Sequence, residues 1–198
     1  AAALALAVCA CATRDGALVP VGAAPPTFST VDMLTATTRA PSDQQGVVFS
    51  GERGELSFAN TVVSIPPRRP VGSIQWPRQI PADPSREFAL ISMQPLSRPE
   101  IAPWFRKNAH GHRRVLVFVH GFNTRFDASV FRFAQFVNDT DASLVPVLFS
   151  WPSRGRVLDH VYDRESANFS RSDLAYVLEA AARSPQVDEV MVLAHSMG

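Results

Sequence analysis

The sequence predicts an α/β fold, a mostly parallel sheet with crossover helices, preceded by a Pro-rich, β-containing N-terminal part. Three observations carry this. The apolar runs 115–119, 146–149 and 190–194 have no polar alternation, as expected for strands buried on both faces of a parallel sheet. Helical stripes fill the gaps between them, so the order is strand, helix, strand, helix, strand, the grammar of right-handed crossovers. Thirteen of the 16 prolines lie from Pro20 to Pro103, which separates a loop-rich half from this regular one.

The elements follow in order. In the Pro-rich half, 31–38, 56–65 and 88–94 are short, enriched in Thr and Val and partly alternating, which favours strand over helix. Pro66-Pro67 and Trp76-Pro77 punctuate them, and the half reads as an antiparallel or peripheral β layer. In the regular half, Val130, Phe133, Ala134 and Val137 fall at i, i+3, i+4, i+7 and form one apolar stripe. Ser170 opens a Ser-x-x-Asp pattern to Asp173, a weak capping box. Leu174, Val177, Leu178 and Ala181 form the stripe behind it, and Pro185 follows its end. Pro146 is tolerable only as the first residue of its strand.

The 198 residues carry a net charge of +1, with 46% hydrophobic and 19% charged residues, the profile of a globular domain. That composition excludes wholesale disorder, collagen-like or coiled-coil repeats and a polytopic membrane protein. It also lacks the basic excess of a nucleic-acid-binding surface. Lys107 is the single lysine, and the arginines are interspersed with acids along most of the chain.

Residues 1–12 read AAALALAVCACA. Twelve residues make about 18 Å of helix, too short for a hydrocarbon core of about 30 Å. The run is expected to be the apolar part of a signal peptide, with Val-Cys-Ala-Cys as a bacterial lipoprotein box. Cys11, preceded by small Ala10, is the expected lipidation site; Cys9, preceded by Val8, is the poorer one. Residues 13–26 are expected to be a flexible tether and 27–198 the folded domain. An exported, periplasmic, membrane-anchored lipoprotein follows from this reading.

The chemistry gathers at the carboxyl ends of the predicted parallel strands, where ligands of such sheets bind. Ala194-His195-Ser196-Met197-Gly198 closes the third strand and fits the Gly-x-Ser-x-Gly nucleophile elbow, with Ala194 in the first small position. A serine on a strained strand-to-helix turn needs small residues at Ala194 and Gly198. Alone, the pattern arises by chance in about one chain in seven of this length. The apolar strand before it lowers that about tenfold. The second part is His120-Gly121-Phe122-Asn123, after the strand 115–119, with one strand between it and the serine strand. An acyl-transfer site needs two N–H donors on the developing oxyanion. The amides of Met197 and Phe122 are the expected pair, with Gly121 permitting close backbone approach. His120 is expected to brace this loop.

The runs VLVFVHGFNTRFDASVFRFAQ, PVLFSWPSRG, YDRESANFSRSDL and VLAHSMG resemble a bacterial branch of the alpha/beta hydrolase superfamily, esterase- or lipase-like proteins of unknown substrate. Upstream, TATTRAP, GERGELSFANTVVSIPP and FALISMQPL resemble it too, so the likeness covers residues 31–198. It implies the alpha/beta-hydrolase fold, an eight-stranded-type and mostly parallel sheet, and a Ser–acid–His triad represented here by Ser196. The chain order nucleophile, acid, histidine places both partners beyond Gly198. The sequence is therefore read as a fragment ending at the nucleophile elbow, expected on its own to be neither a competent hydrolase nor a stably folded domain. The strand 190–194 is expected near the centre of the whole sheet.

None of His110, His112, His120, His160 and His195 is assigned as the triad base. His110-Gly-His112 has no third ligand nearby, so no metal site is expected, and no cofactor. Trp151-Pro152 and 153–168 read first as a solvated loop, and second as a pocket wall with Arg154, Arg156, Asp159 and Arg164 near its mouth. Asn138 and Asn168 fit a glycosylation pattern that a bacterial lipoprotein would not use. The leading function is a serine hydrolase acting on a small-molecule or lipid-like acyl ester. The competing one is a non-catalytic envelope lipoprotein that keeps the scaffold for binding or structure.

Overall fold

The computed structural model describes residues 16–109, 111–141 and 143–198. The expected signal peptide with Cys9 and Cys11 lies outside the described residues, as does His110.

Six strands form one sheet in the order β3-β2-β1-β5-β4-β6. The Pro-rich half supplies β1 (Ser29–Pro41), β2 (Phe49–Ile65) and β3 (Ala89–Leu96), paired antiparallel. The regular half supplies β4 (Arg114–Val119), β5 (Val145–Ser150) and β6 (Glu189–Ala194), paired parallel. The seam between the halves is β1 on β5, parallel, with Leu34 opposite Val147 and Thr37 opposite Ser150. The β layer foreseen for the first half is thus one flank of the same sheet.

Helices cover both faces. α2 (Phe126–Thr140) crosses from β4 to β5 and buries Val130, Phe131, Phe133 and Ala134 against Leu116, Leu148, Met33, Val63 and Leu90. On the other face lie α1 (Ile101–Asn108), α3 (His160–Phe169) and α4 (Arg171–Ala182). Trp104 and Phe105 of α1 and Val177 and Ala181 of α4 pack there against Val115, Val117, Val119 and Phe149. The pleat of β4 therefore feeds alternate residues to two cores, which is why its sequence is apolar throughout.

Three readings are corrected. Residues 16–22 are not a free tether. Leu18 is buried, its amide donates to Gly46 O, and the amides of Val21 and Gly22 donate to Leu90 O and Ile91 O of the outer strand β3. An apolar side chain with a core to enter, and an open strand edge with unpaired carbonyls, hold the segment down. Second, the Ser170 capping box does not form. Ser170 is helical, at the joint of α3 and α4, and its hydroxyl is taken by Ser166 O (2.8 Å) and Thr38 Oγ1 (2.7 Å). Third, 153–168 is not a plain loop: a 3-10 turn at Val157–Asp159 leads into α3. The strand that lies between the His-Gly loop and the serine in sequence does not lie between them in space, because β4 is directly beside β6. Among the described residues β6 is an outer strand, with Val192 half exposed.

Candidate active site

Parallel pairing of β4 and β6 in register, Val119 opposite Ala194, brings the two loops that follow them to one place. The His195 amide donates to Val119 O at 3.0 Å, and the Gly198 amide closes the turn on His195 O at 3.0 Å. Within that turn Ser196 has φ of +56° and is exposed. A left-handed φ at a non-glycine residue costs energy and is held only where the surroundings enforce it. Here two backbone hydrogen bonds and the strand pairing enforce it.

Both glycines are required by contact. A Cβ at Gly121 would lie 2.8 Å from Ser196 Cβ and 2.7 Å from His195 O and Nδ1. A Cβ at Gly198 would lie 2.6 Å from Val119 O. The space that Gly198 keeps open is thus against the end of β4.

The backbone donors sort themselves. The Asn123 amide is taken by Asp163 Oδ2 (3.1 Å) and the Thr124 amide by Ser153 Oγ (3.0 Å). The amides of Phe122 and Met197 have no hydrogen-bond acceptor among the described residues. Asp163 of α3 is fully buried and also accepts from Ser153 Oγ (2.5 Å) and the Arg154 amide (3.1 Å), so one carboxylate ties the β4 loop to the β5 loop. The Phe122 ring meets His160 edge-on at 5.1 Å.

His120 lies beneath the loop, buried and stacked on Trp151 at 4.6 Å, with Trp151 Nε1 donating to His120 O. Nδ1 is 2.9 Å from Gly121 O, while Nε2 faces Arg39 Nη2 (3.2 Å) and Trp151 O (3.0 Å). The guanidinium can only donate, so Nε2 accepts from Arg39 and the proton of the neutral ring sits on Nδ1 towards Gly121 O, which leaves the Trp151 carbonyl beside Nε2 without a donor from the ring. Burial, followed by the charge of Arg39, pushes the His120 pKa down to about 3, so the ring stays neutral.

Arg39, from the end of β1, was not foreseen. It is buried, and it donates to Ser150 Oγ, Ser50 O, Ser153 O, His120 Nε2 and Thr124 O. One guanidinium thereby joins the start of β2 to the loop after β4 and the end of β5. Burial lowers its pKa to about 9, against the pull of Asp163 and Asp127, so it remains a cation at neutral pH. An Arg in a Thr-rich strand carries no signal of this role; its only trace was the fragment TATTRAP.

Of the other residues singled out, Arg154 pairs with Glu52 (2.9 Å) and Asp159 (3.6 Å), and Arg164 with its neighbour Glu165 at the surface. His112 is exposed and hydrogen-bonded to Ser143. Among the described residues no three His, Cys, Asp or Glu side chains gather as a metal would need, and no histidine is hydrogen-bonded to a carboxylate. No helix of the described residues is long and apolar enough to cross a membrane.

A mostly parallel sheet with crossover helices and a strained serine at a strand end is the architecture of an α/β hydrolase. The chain belongs to the family alpha/beta hydrolase of unknown function (DUF900), whose model matches residues 97–198. Among curated proteins and among solved structures, no match to the chain is found.

Proposed function

We propose that this chain carries the nucleophile and oxyanion hole of a serine hydrolase acting on acyl esters. Ser196 Oγ attacks the carbonyl carbon, and the carbonyl oxygen becomes an oxyanion held by the amides of Phe122 and Met197. A histidine following Gly198, oriented by an acid, takes the serine proton and returns it to the leaving alcohol; water then releases the acyl group by the same steps. Each oxyanion donor contributes about 3 kcal/mol to such a transition state. Signal-peptide export and lipidation of Cys11 belong to the same proposal, and place the enzyme at a periplasmic membrane surface with small or lipid-like esters as substrates.

The observation that carries the reading is Ser196 at φ of +56°, packed against Gly121, with two unclaimed amides on the flanking loops. The test is hydrolysis of short p-nitrophenyl esters by the full-length protein, with fluorophosphonate labelling. Ser196→Ala is expected to abolish labelling and reduce the rate by about 10⁴-fold or more. A folded Ser196→Ala protein of unchanged rate would remove Ser196 from the mechanism. Full-length protein that neither hydrolyses nor labels would favour the non-catalytic envelope reading. Membrane attachment is checked separately: Cys11→Ser should release the protein from the membrane fraction.

A further inference from the structure

We propose that the cavity between the β1–β2 connection and the start of α2 is an anion-binding site, taking a carboxylate or phosphate group carried on a small apolar body. The cavity has a volume of about 340 Å³, within the range of small-molecule sites. It opens on the carboxyl edge of the sheet, beside the loop that links the oxyanion residues to α2.

Four arginines line it, Arg39, Arg125, Arg154 and Arg156, against one acidic residue, Asp127. Two of the four are already answered: Arg125 pairs with Asp127 at 3.3 Å and Arg154 with Glu52 at 2.9 Å. The other two set the character of the site. Arg39 is a buried cation whose five hydrogen-bond partners are three carbonyls, a hydroxyl and a neutral imidazole. No carboxylate hydrogen-bonds to it, and Asp163 and Asp127 offset its charge only through space. Its N–H groups are all engaged, so it acts on the cavity through its field. Arg156 is exposed, and its side chain has no ion-pair or hydrogen-bond partner among the described residues, leaving a donor fork free to grip an oxyanion in bidentate fashion. Leu18, Val48, Phe49 and Phe126 supply an apolar wall. Such walls do not favour bare inorganic ions over anions with a carbon body.

The site stands apart from Ser196 and is tested without any reaction. Titration of the full-length protein by calorimetry and amide NMR would use hexanoate, inorganic phosphate and, as the neutral counterpart, hexanol. Both anions are expected to saturate and to compete with each other, hexanoate more tightly, with hexanol at least tenfold weaker. Arg156→Gln and Gln44→Glu, both at exposed positions on the rim, should each weaken anion binding at least fivefold and leave the fold intact. Binding that is non-saturable, equal for hexanol and hexanoate, or unchanged in both variants would overturn the proposal. Saturation by phosphate with no preference for hexanoate would identify a phosphate group as the ligand, and the reverse a carboxylate. Loss of esterase activity plays no part in the outcome.

Discussion

His120 shows how a titratable residue can brace a loop by staying neutral. Its ring is buried, stacked and fixed between an acceptor and a cation. Unfolded, it would titrate near 6.5, whereas folded it does so at about 3. Between these values the unfolded chain binds the extra proton, so stability attributable to this group is complete above pH 6.5 and falls as pH drops towards 3. The slope is at most about 1.4 kcal/mol per pH unit. Urea unfolding should therefore show about 2 kcal/mol lost between pH 7 and pH 5 from this group. His120→Gln, which can still donate to Gly121 O, should be less stable at pH 7 but show a shallower pH dependence. An unaltered dependence in the variant would place the sensitivity elsewhere.

At the scale of elements, the site is a contact between two strand ends, and Gly121 is where they touch. Gly121→Ala would press a methyl into Ser196 Cβ and His195 O, both backbone-fixed, so the elbow must leave β4. Overpacking of this kind costs about 1–3 kcal/mol. The larger effect should fall on catalysis, because a displacement near 1 Å costs about 100-fold. A near-normal kcat in Gly121→Ala would show that the loops need not meet. The three parallel strands and α2 were legible because strands buried on both faces read as continuous apolar runs, and because α2 presents a full apolar stripe. α1 went unread although Ile101, Trp104 and Phe105 hold i, i+3, i+4 spacing, since eight residues with Pro103 among them resemble a loop. α3 offers no apolar pattern, for its buried residues are Asp163 and Ser166. Its packing is polar, and two of its anchors, Asn123 on Asp163 and Arg53 on Ser166, lie 40 and 113 positions upstream, outside any local window.

Across the whole molecule, one sheet divides two cores, and neither core is closed without it. Phe105 lies at the centre of one and Phe133 of the other, both fully buried. Because β4 and β5 contribute alternate residues to each, loss on either face should be felt by the entire domain. Phe105→Ala and Phe133→Ala are each expected to cost about 3–5 kcal/mol in a single unfolding transition. Coincident curves by tryptophan fluorescence and far-ultraviolet circular dichroism would support this; a biphasic curve for either variant would mean the faces melt separately.

The seam between β1 and β5 also sets a timetable for synthesis. The hairpin-like pairings of β1, β2 and β3 join near neighbours in the chain, yet Leu34 must wait for Val147 and Arg39 for Ser150. At translation rates of about 5–20 residues per second, that wait is roughly 6–23 s. Throughout it the guanidinium of Arg39 can stay in water, and only the arrival of β5 draws it inside. The strand pairing between the two halves and the burial of their shared cation are thus one event, which waits for β5.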